Sequence, residues 1–217
     1  MDYYKEIKKA NYGKNVCMMM EGGSIDFDPK KRKEVVGAEQ MTYDEYLDVQ
    51  FASLDKTRGG FACCFYNFTM GFKGHIERFA KGRVCFNAIY LEGMYPDGEM
   101  FEDKEDHVWM DITGFEDFQV GDSVSFWAEV YRYVKTGNGK LIDFGLRKPE
   151  EIKKITSYEL PSDEELLNQE IRLMLCDVCF YGEQCNRTFC LCDQKELRQL
   201  KKDIKGVLTA NRNSEVK

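Results

Sequence analysis

Five cysteines lie within seventeen residues near the C-terminus of this 217-residue chain. Their spacing, C-x2-C-x5-C-x4-C-x-C, allows one short loop to present four thiolates to a single ion, which suits a soft tetrahedral metal such as zinc. An iron–sulfur cluster is one alternative, and disulfides or free thiols are another. The candidate ligands are Cys176, Cys179, Cys185, Cys190 and Cys192.

The rest of the sequence favours metal over disulfides. Residues Met1–Lys9 are polar and charged, so we expect no secretory signal. No apolar stretch approaches the eighteen residues typical of a membrane helix, and we expect no membrane partner. A cytoplasmic chain keeps its thiols reduced, and the odd total of nine cysteines also disfavours a complete disulfide framework. We therefore expect a cytoplasmic zinc protein.

The charge balance points to a partner class. A net charge of −7 disfavours a protein that coats nucleic acid, because such binding relies on Lys and Arg to release phosphate counterions. An acidic surface suits a basic protein partner, although solubility alone would also explain it. One acidic segment supplies the candidate partner contacts: Asp97, Glu99, Glu102, Asp103, Glu105 and Asp106.

Searches for catalytic residues find no motif, so we expect no enzyme. His107 begins an expected strand, where a polar edge residue is typical, and His75 lies in GFKGH without a catalytic pattern. Cys63 and Cys64 lie in an apolar run that favours inert thiols, and Cys85 is expected to pack as a small apolar residue. No G-x-S-x-G, Walker loop or H-E-x-x-H occurs.

The elements that must position these residues fall into three regions: 1–72, 73–156 and 157–217. In the first, TYDE (Thr42–Glu45) is a capping box that predicts a helix over residues 43–54. FACCFYNF (Phe61–Phe68) is an apolar run of strand length.

The second region predicts an antiparallel sheet. Its strands are expected at 83–93, 107–112, 123–134 and 140–146, with Pro149 ending the fourth and 151–155 forming a last one. In the third of these strands one apolar face has a period of two and should face the core; it consists of Val124, Phe126, Ala128 and Val130. A partly open five-stranded barrel of the OB type is the preferred fold, and a small sandwich is the alternative.

The third region predicts a helix, the cysteine loop and a second helix. SDEE (Ser162–Glu165) caps the first helix and DQKE (Asp193–Glu196) the second. So few residues cannot build a large core, and a metal clip would stabilise them. The whole chain is therefore expected to be α+β: an OB-like barrel flanked by helices, with a C-terminal helix–metal loop–helix unit.

Three resemblances bear on function. The stretch from His107 to Leu146, with HVWMD, VGDSVSFWAEVYRYV and LIDFGL, resembles small OB-like barrels of phages and other mobile elements. CDVCFYGEQC (Cys176–Cys185) is similar to the cysteine run of the iron–sulfur nucleases of CRISPR adaptation, whose acidic–Lys core we do not find here. Small size, acidity and a metal clip resemble phage anti-CRISPR proteins, which implies inhibition of an RNA-guided effector nuclease in the host cytoplasm.

A single-strand nucleic-acid binder is the competing hypothesis. OB barrels bind strands across an aromatic face on which bases stack. Trp127, Tyr131 and Tyr133 share one side of an expected strand, with Arg132 and Lys135 nearby. The alternative is that these three rings have a structural role and cover the barrel, against the helices.

Overall fold

The computed structural model describes residues 3–20, 23–63, 66–94, 100–137, 139–178, 199 and 202–206. Two short 3-10 turns, Lys31–Glu34 and Gly59–Cys63, join the longer elements. Those elements are α1 (Tyr3–Asn11), β1 (Cys17–Met20), β2 (Gly23–Asp26), α2 (Tyr43–Ser53), β3 (Thr69–Ala80), β4 (Arg83–Met94), β5 (Met100–Glu105), β6 (Val108–Asp111), β7 (Ser123–Lys135), β8 (Leu141–Ile155) and α3 (Asp163–Val178).

The strands form one small sheet and one large one. β1 and β2 make an antiparallel pair, and the large sheet has the order β5-β4-β3-β7-β8, with β6 paired to β4. β6 also approaches β8, but no ladder joins them among the residues described. The α+β class with a mostly antiparallel sheet is thus confirmed, and the six-stranded sheet is not a closed barrel.

The period-two pattern of β7 predicted the inner face correctly. Val124, Phe126, Ala128 and Val130 are all buried. Phe126 is the centre of an aromatic cluster, since its ring centroid lies 5.3 Å from Phe86, 5.5 Å from Phe115 and 5.9 Å from Phe72. We call the opposite side of the sheet, which carries Trp127 on β7, the outer face.

The expected strand break at Pro149 is wrong. β8 continues through Pro149 to Ile155, and its pairing with β7 shifts register twice, on either side of Trp127. Lys148 and Glu151 have left-handed φ angles of 52° and 49°, as bulge residues often do. A proline is compatible with a strand at such a bulge because the ladder does not need its missing N–H there.

The apolar run Phe61–Phe68 does not begin a strand. Its first three residues belong to the 3-10 turn Gly59–Cys63. Cys64 and Phe65 lie outside the described residues. Phe61 is fully buried, with its ring edge-on to Phe72 at 6.1 Å. The apolar run therefore reflects burial of a turn under the sheet, which a run of apolar residues alone does not distinguish from a strand.

Both described capping boxes begin helices as expected. The Thr42 hydroxyl accepts from the backbone N–H of Glu45 at 3.2 Å and begins α2. Three hydrogen bonds join Ser162 and Glu165 at the start of α3. The Glu165 N–H donates to the Ser162 hydroxyl at 3.2 Å, and the Glu165 carboxylate accepts from the Ser162 N–H at 2.7 Å and from its hydroxyl at 2.8 Å. No helix among the described residues is long and apolar enough to cross a membrane.

The chain divides into two compact units. The first, the sheet unit, comprises Met1–Leu91 and Lys104–Tyr158, and the second comprises Glu92–Asp103 and Glu159–Lys217. In the second unit the Gln169 side-chain amide donates to the backbone carbonyl of Glu102 at 2.9 Å and accepts from its N–H at 3.0 Å.

Candidate metal centre and outer aromatic face

Three side chains with metal-ligating atoms meet on the outer face of the sheet. They are Glu77 on β3, Cys85 on β4 and His107, which directly precedes β6. The Cys85 Sγ lies 3.4 Å from the Glu77 Oε2, and the His107 Nδ1 lies 3.1 Å from the same oxygen. All three ligand atoms lie within 4.8 Å of one another, so the group could hold a metal ion.

A β-bulge brings Glu77 to this group. Ile76 pairs with Phe86 and Arg78 pairs with Cys85, so Glu77 is an extra residue opposite no partner of its own. Bulges re-aim side chains, and two neighbouring residues then lie beside one residue of the partner strand. Glu77 and Arg78 therefore both lie beside Cys85.

The backbone holds His107 in an unusual conformation. Its φ angle is 54°, in the left-handed region that histidine enters more often than most residues. Its carbonyl accepts from the Arg58 Nη2 at 3.1 Å, and the next residue, Val108, pairs with Phe86 of β4. The imidazole is thus anchored at its base, while 63% of the side chain stays exposed.

The pKa values of Cys85 and Glu77 shift in opposite directions within this group. Burial raises the pKa of the Cys85 thiol, and the neighbouring Glu77 carboxylate raises it further, while Arg78 acts in the opposite direction. Hydrogen bonds from the Cys85 thiol and from His107 lower the pKa of Glu77. The Cys85 thiol therefore stays protonated, and its S–H donates a hydrogen bond to the ionised Glu77 carboxylate.

Sequence reasoning missed this group. The expected burial of Cys85 is confirmed, since the residue is fully buried, but the expectation that it packs as a purely apolar residue overlooked its polar partner. His107 lies at the start of a strand as expected, and it contacts Glu77 from there. The three residues are eight and twenty-two positions apart, which matches no usual ligand spacing.

An aromatic and basic group lies beside the cluster. Trp109 on β6 pairs with Cys85 of β4, and two arginine side chains make cation–π contacts with the Trp109 ring. The guanidinium carbon of Arg78 lies 5.2 Å from the ring centroid and that of Arg83 lies 5.9 Å from it. Arg83 also donates to the Trp109 carbonyl at 3.2 Å. We call Trp109, Arg78 and Arg83 the tryptophan patch.

The aromatic side of β7 predicted from the sequence is only partly assembled. Trp127 is 48% exposed, and the rings of Tyr131 and Tyr133 lie 5.7 Å apart. Arg132 instead lies over Tyr66, and the Lys135 ammonium lies 3.2 Å from the buried Asp143 carboxylate. The two expected basic partners therefore serve other contacts.

The acidic segment is partly engaged within the fold. The Glu105 carboxylate accepts from the backbone N–H of Gly60 at 2.6 Å, and the Asp106 carboxylate accepts from that of Ala88 at 3.2 Å. Glu102 and Asp103 lie on β5, whereas Asp97 and Glu99 lie outside the described residues. Two of the six candidate contacts thus hold backbone in place, Glu105 at the 3-10 turn and Asp106 at Ala88 of β4, whose φ is 56°.

The backbone of α3 includes Cys176, whereas Cys179, Cys185, Cys190 and Cys192 lie outside the described residues. The predicted cysteine site therefore stays a prediction. Comparison of the chain with protein-family models, with curated proteins and with solved structures found no match.

Proposed function

We propose that this chain is a non-enzymatic, OB-like protein that binds single-stranded nucleic acid on the outer face of its sheet unit. The strand order supports an OB-like arrangement. If β5 and β6 are counted together as the third barrel strand, the order along the sheet is 3-2-1-4-5, and β6 approaches β8 where such a barrel would close.

The tryptophan patch is the observation that carries the proposal. An aromatic ring on a sheet face gives a base a platform for stacking, and nearby guanidinium groups can contact the adjacent phosphates. Arg78 and Arg83 are exposed and lie within 6 Å of the ring centroid of the partly exposed Trp109. The patch also lies on β3, β4 and β6, which correspond to barrel strands 1, 2 and 3. The face of barrel strands 2 and 3 is where OB folds bind oligonucleotides.

Further ring–cation pairs on the outer face extend this surface. The Lys73 ammonium lies 4.8 Å from the ring centroid of Tyr90, and the Arg147 guanidinium lies 5.0 Å from that of Tyr131. Trp127 lies against Gly71, with ring atoms about 4 Å from where a glycine Cβ would be. Tyr90 is itself buried, so beyond Trp109 a strand crossing the sheet would meet the rings of Trp127 and Tyr131.

Carboxylates beside the patch limit its net charge. Glu77 adjoins Arg78, and Asp111 pairs with Arg83 across β4 and β6. We therefore expect few phosphate contacts and a shallow dependence on salt. For two contacts to a single strand, the slope of log K against log salt should be about −1.4.

Binding of labelled oligonucleotides tests the proposal. Fluorescence anisotropy of a labelled single-stranded oligothymidylate, titrated with the full chain at several salt concentrations, should give saturable binding with that shallow slope. A duplex of equal length should bind more weakly, since its bases are not free to stack. Absence of binding to the single strand at the lowest salt would reject the proposal.

The second candidate is a binder and inhibitor of a basic protein, such as an anti-CRISPR protein acting on an RNA-guided effector nuclease. The net charge of −7 favours it, because long-range attraction would speed such an encounter. For the C-terminal cysteines we propose zinc, on the basis of their spacing; an iron–sulfur cluster is the alternative, and a brown colour would reveal it.

A further inference from the structure

We infer that Glu77, Cys85 and His107 form a metal site of their own, separate from the C-terminal cysteines, which takes a zinc-class divalent ion and keeps an open coordination position. The inference does not depend on nucleic-acid binding. It rests on the separations of the ligand atoms, on the backbone features that place them and on the chemistry of the donors.

The separations suit a tetrahedral ion after a small expansion. With zinc bonds of about 2.0 Å to oxygen and nitrogen and about 2.3 Å to sulfur, neighbouring ligands lie about 3.3–3.5 Å apart. The observed separations are 3.1 Å between nitrogen and oxygen and 3.4 Å between sulfur and oxygen. The third separation, between the Cys85 Sγ and the His107 Nδ1, is within 4.8 Å, so binding an ion would mainly require these two atoms to reach ligand distance.

Two special backbone features converge on the same point. The bulge at Glu77 and the left-handed φ of 54° at His107 each depart from regular strand geometry. Such departures cluster at functional sites, where surrounding contacts maintain them. Here the Arg58 guanidinium, which also pairs with Asp143 at 3.0 Å, holds the His107 carbonyl.

The donor set selects the ion class. A thiolate disfavours Mg²⁺ and Ca²⁺, which prefer oxygen, whereas thiolate, imidazole and carboxylate together suit Zn²⁺. Three protein ligands with a free fourth position are typical of open zinc sites. His107 is 63% exposed, so the free position would face solvent. Binding of the ion would displace the proton of the Cys85 thiol, which is released to solvent, and Arg78 would help to stabilise the resulting thiolate.

Cobalt binding to the full chain, reduced and metal-free, provides the test. Co²⁺ reports thiolate ligation by its near-ultraviolet charge-transfer band and counts sites by titration. His107→Asn tolerates the left-handed backbone, and Cys85→Ala removes the thiol. Each should lose one equivalent of ion compared with the unmodified chain, or bind it more than about tenfold more weakly. The matched controls His75→Asn and Cys17→Ser should lose none.

A second readout separates this site from the C-terminal cysteines. Cys85 pairs with Trp109, so paramagnetic Co²⁺ held by the cluster should quench the Trp109 emission. In a Trp127→Phe background, which leaves Trp109 as the only tryptophan of the two in the chain, His107→Asn should abolish the quenching. Equal stoichiometry and affinity in the unmodified chain, His107→Asn and Cys85→Ala would overturn the inference, and so would quenching that survives His107→Asn.

Discussion

Replacing Trp109 with alanine should weaken binding of single-stranded oligothymidylate roughly tenfold to a hundredfold. One base stacked on an aromatic ring contributes about 1–3 kcal/mol, and about 1.4 kcal/mol corresponds to a tenfold change in affinity. The same substitution also removes the ring that Arg78 and Arg83 contact, while Arg83 keeps its hydrogen bond to the backbone carbonyl of residue 109. Anisotropy of a labelled oligonucleotide at fixed salt measures the change.

The matched control is Trp127→Ala, which removes the other tryptophan of the outer face, 48% exposed on β7. It should weaken binding less than Trp109→Ala, because Trp127 has neither Arg78 nor Arg83 on its ring. Since Trp109→Ala could disturb the sheet, Arg78→Ala and Arg83→Ala provide an independent measure, and each should make the salt slope shallower by about 0.7. Unchanged affinity in a folded Trp109→Ala protein would rule out the patch as the binding platform.

Replacing Asp143 with alanine should reduce the free energy of unfolding by about 3–5 kcal/mol, because it leaves the mostly buried Arg58 guanidinium without its counter-charge. The Asp143 carboxylate is 2% exposed and lies 3.0 Å from the Arg58 Nη1 and 3.2 Å from the Lys135 Nζ. The Arg58 N–H and the Phe144 N–H also donate to it, at 3.3 Å and 2.9 Å. Urea unfolding followed by circular dichroism measures the loss.

Asp117→Ala is the control for this prediction, because Asp117 is exposed and should change stability by less than about 0.5 kcal/mol. Asp143→Ala should also weaken Co²⁺ binding by the Glu77–Cys85–His107 group, since Arg58 connects Asp143 to the His107 carbonyl. A loss of stability no larger than that of Asp117→Ala would show that the buried charges are compensated elsewhere.

Much of the sheet could be predicted because its signals are local. Alternation along β7 identified the inner face, and the expected strands 123–134 and 140–146 lie within the antiparallel pair β7 and β8. The errors arose where tertiary context decides. Pro149 reads as a strand end, but two bulges accommodate it, and Phe61 reads as part of a strand, although it is buried in a 3-10 turn.

The Glu77–Cys85–His107 group could not be predicted, for a physical reason. It depends on an extra residue in β3, on the register between β4 and β6 and on a positive φ at His107, none of which the local sequence specifies. Conversely, the acidic segment looked like a free charged surface. Glu105 and Asp106 instead accept backbone hydrogen bonds from residues 45 and 18 positions away.

Intrinsic fluorescence of the Trp127→Phe protein, titrated with unlabelled oligothymidylate, tests the central claim most directly. If a base stacks on Trp109, its emission should be quenched along a saturable curve whose midpoint matches the anisotropy titration of the same protein. The Trp109→Phe protein, which retains Trp127, should show a smaller change. Emission from Trp109 that stays constant at oligonucleotide concentrations that saturate the anisotropy signal would contradict the account.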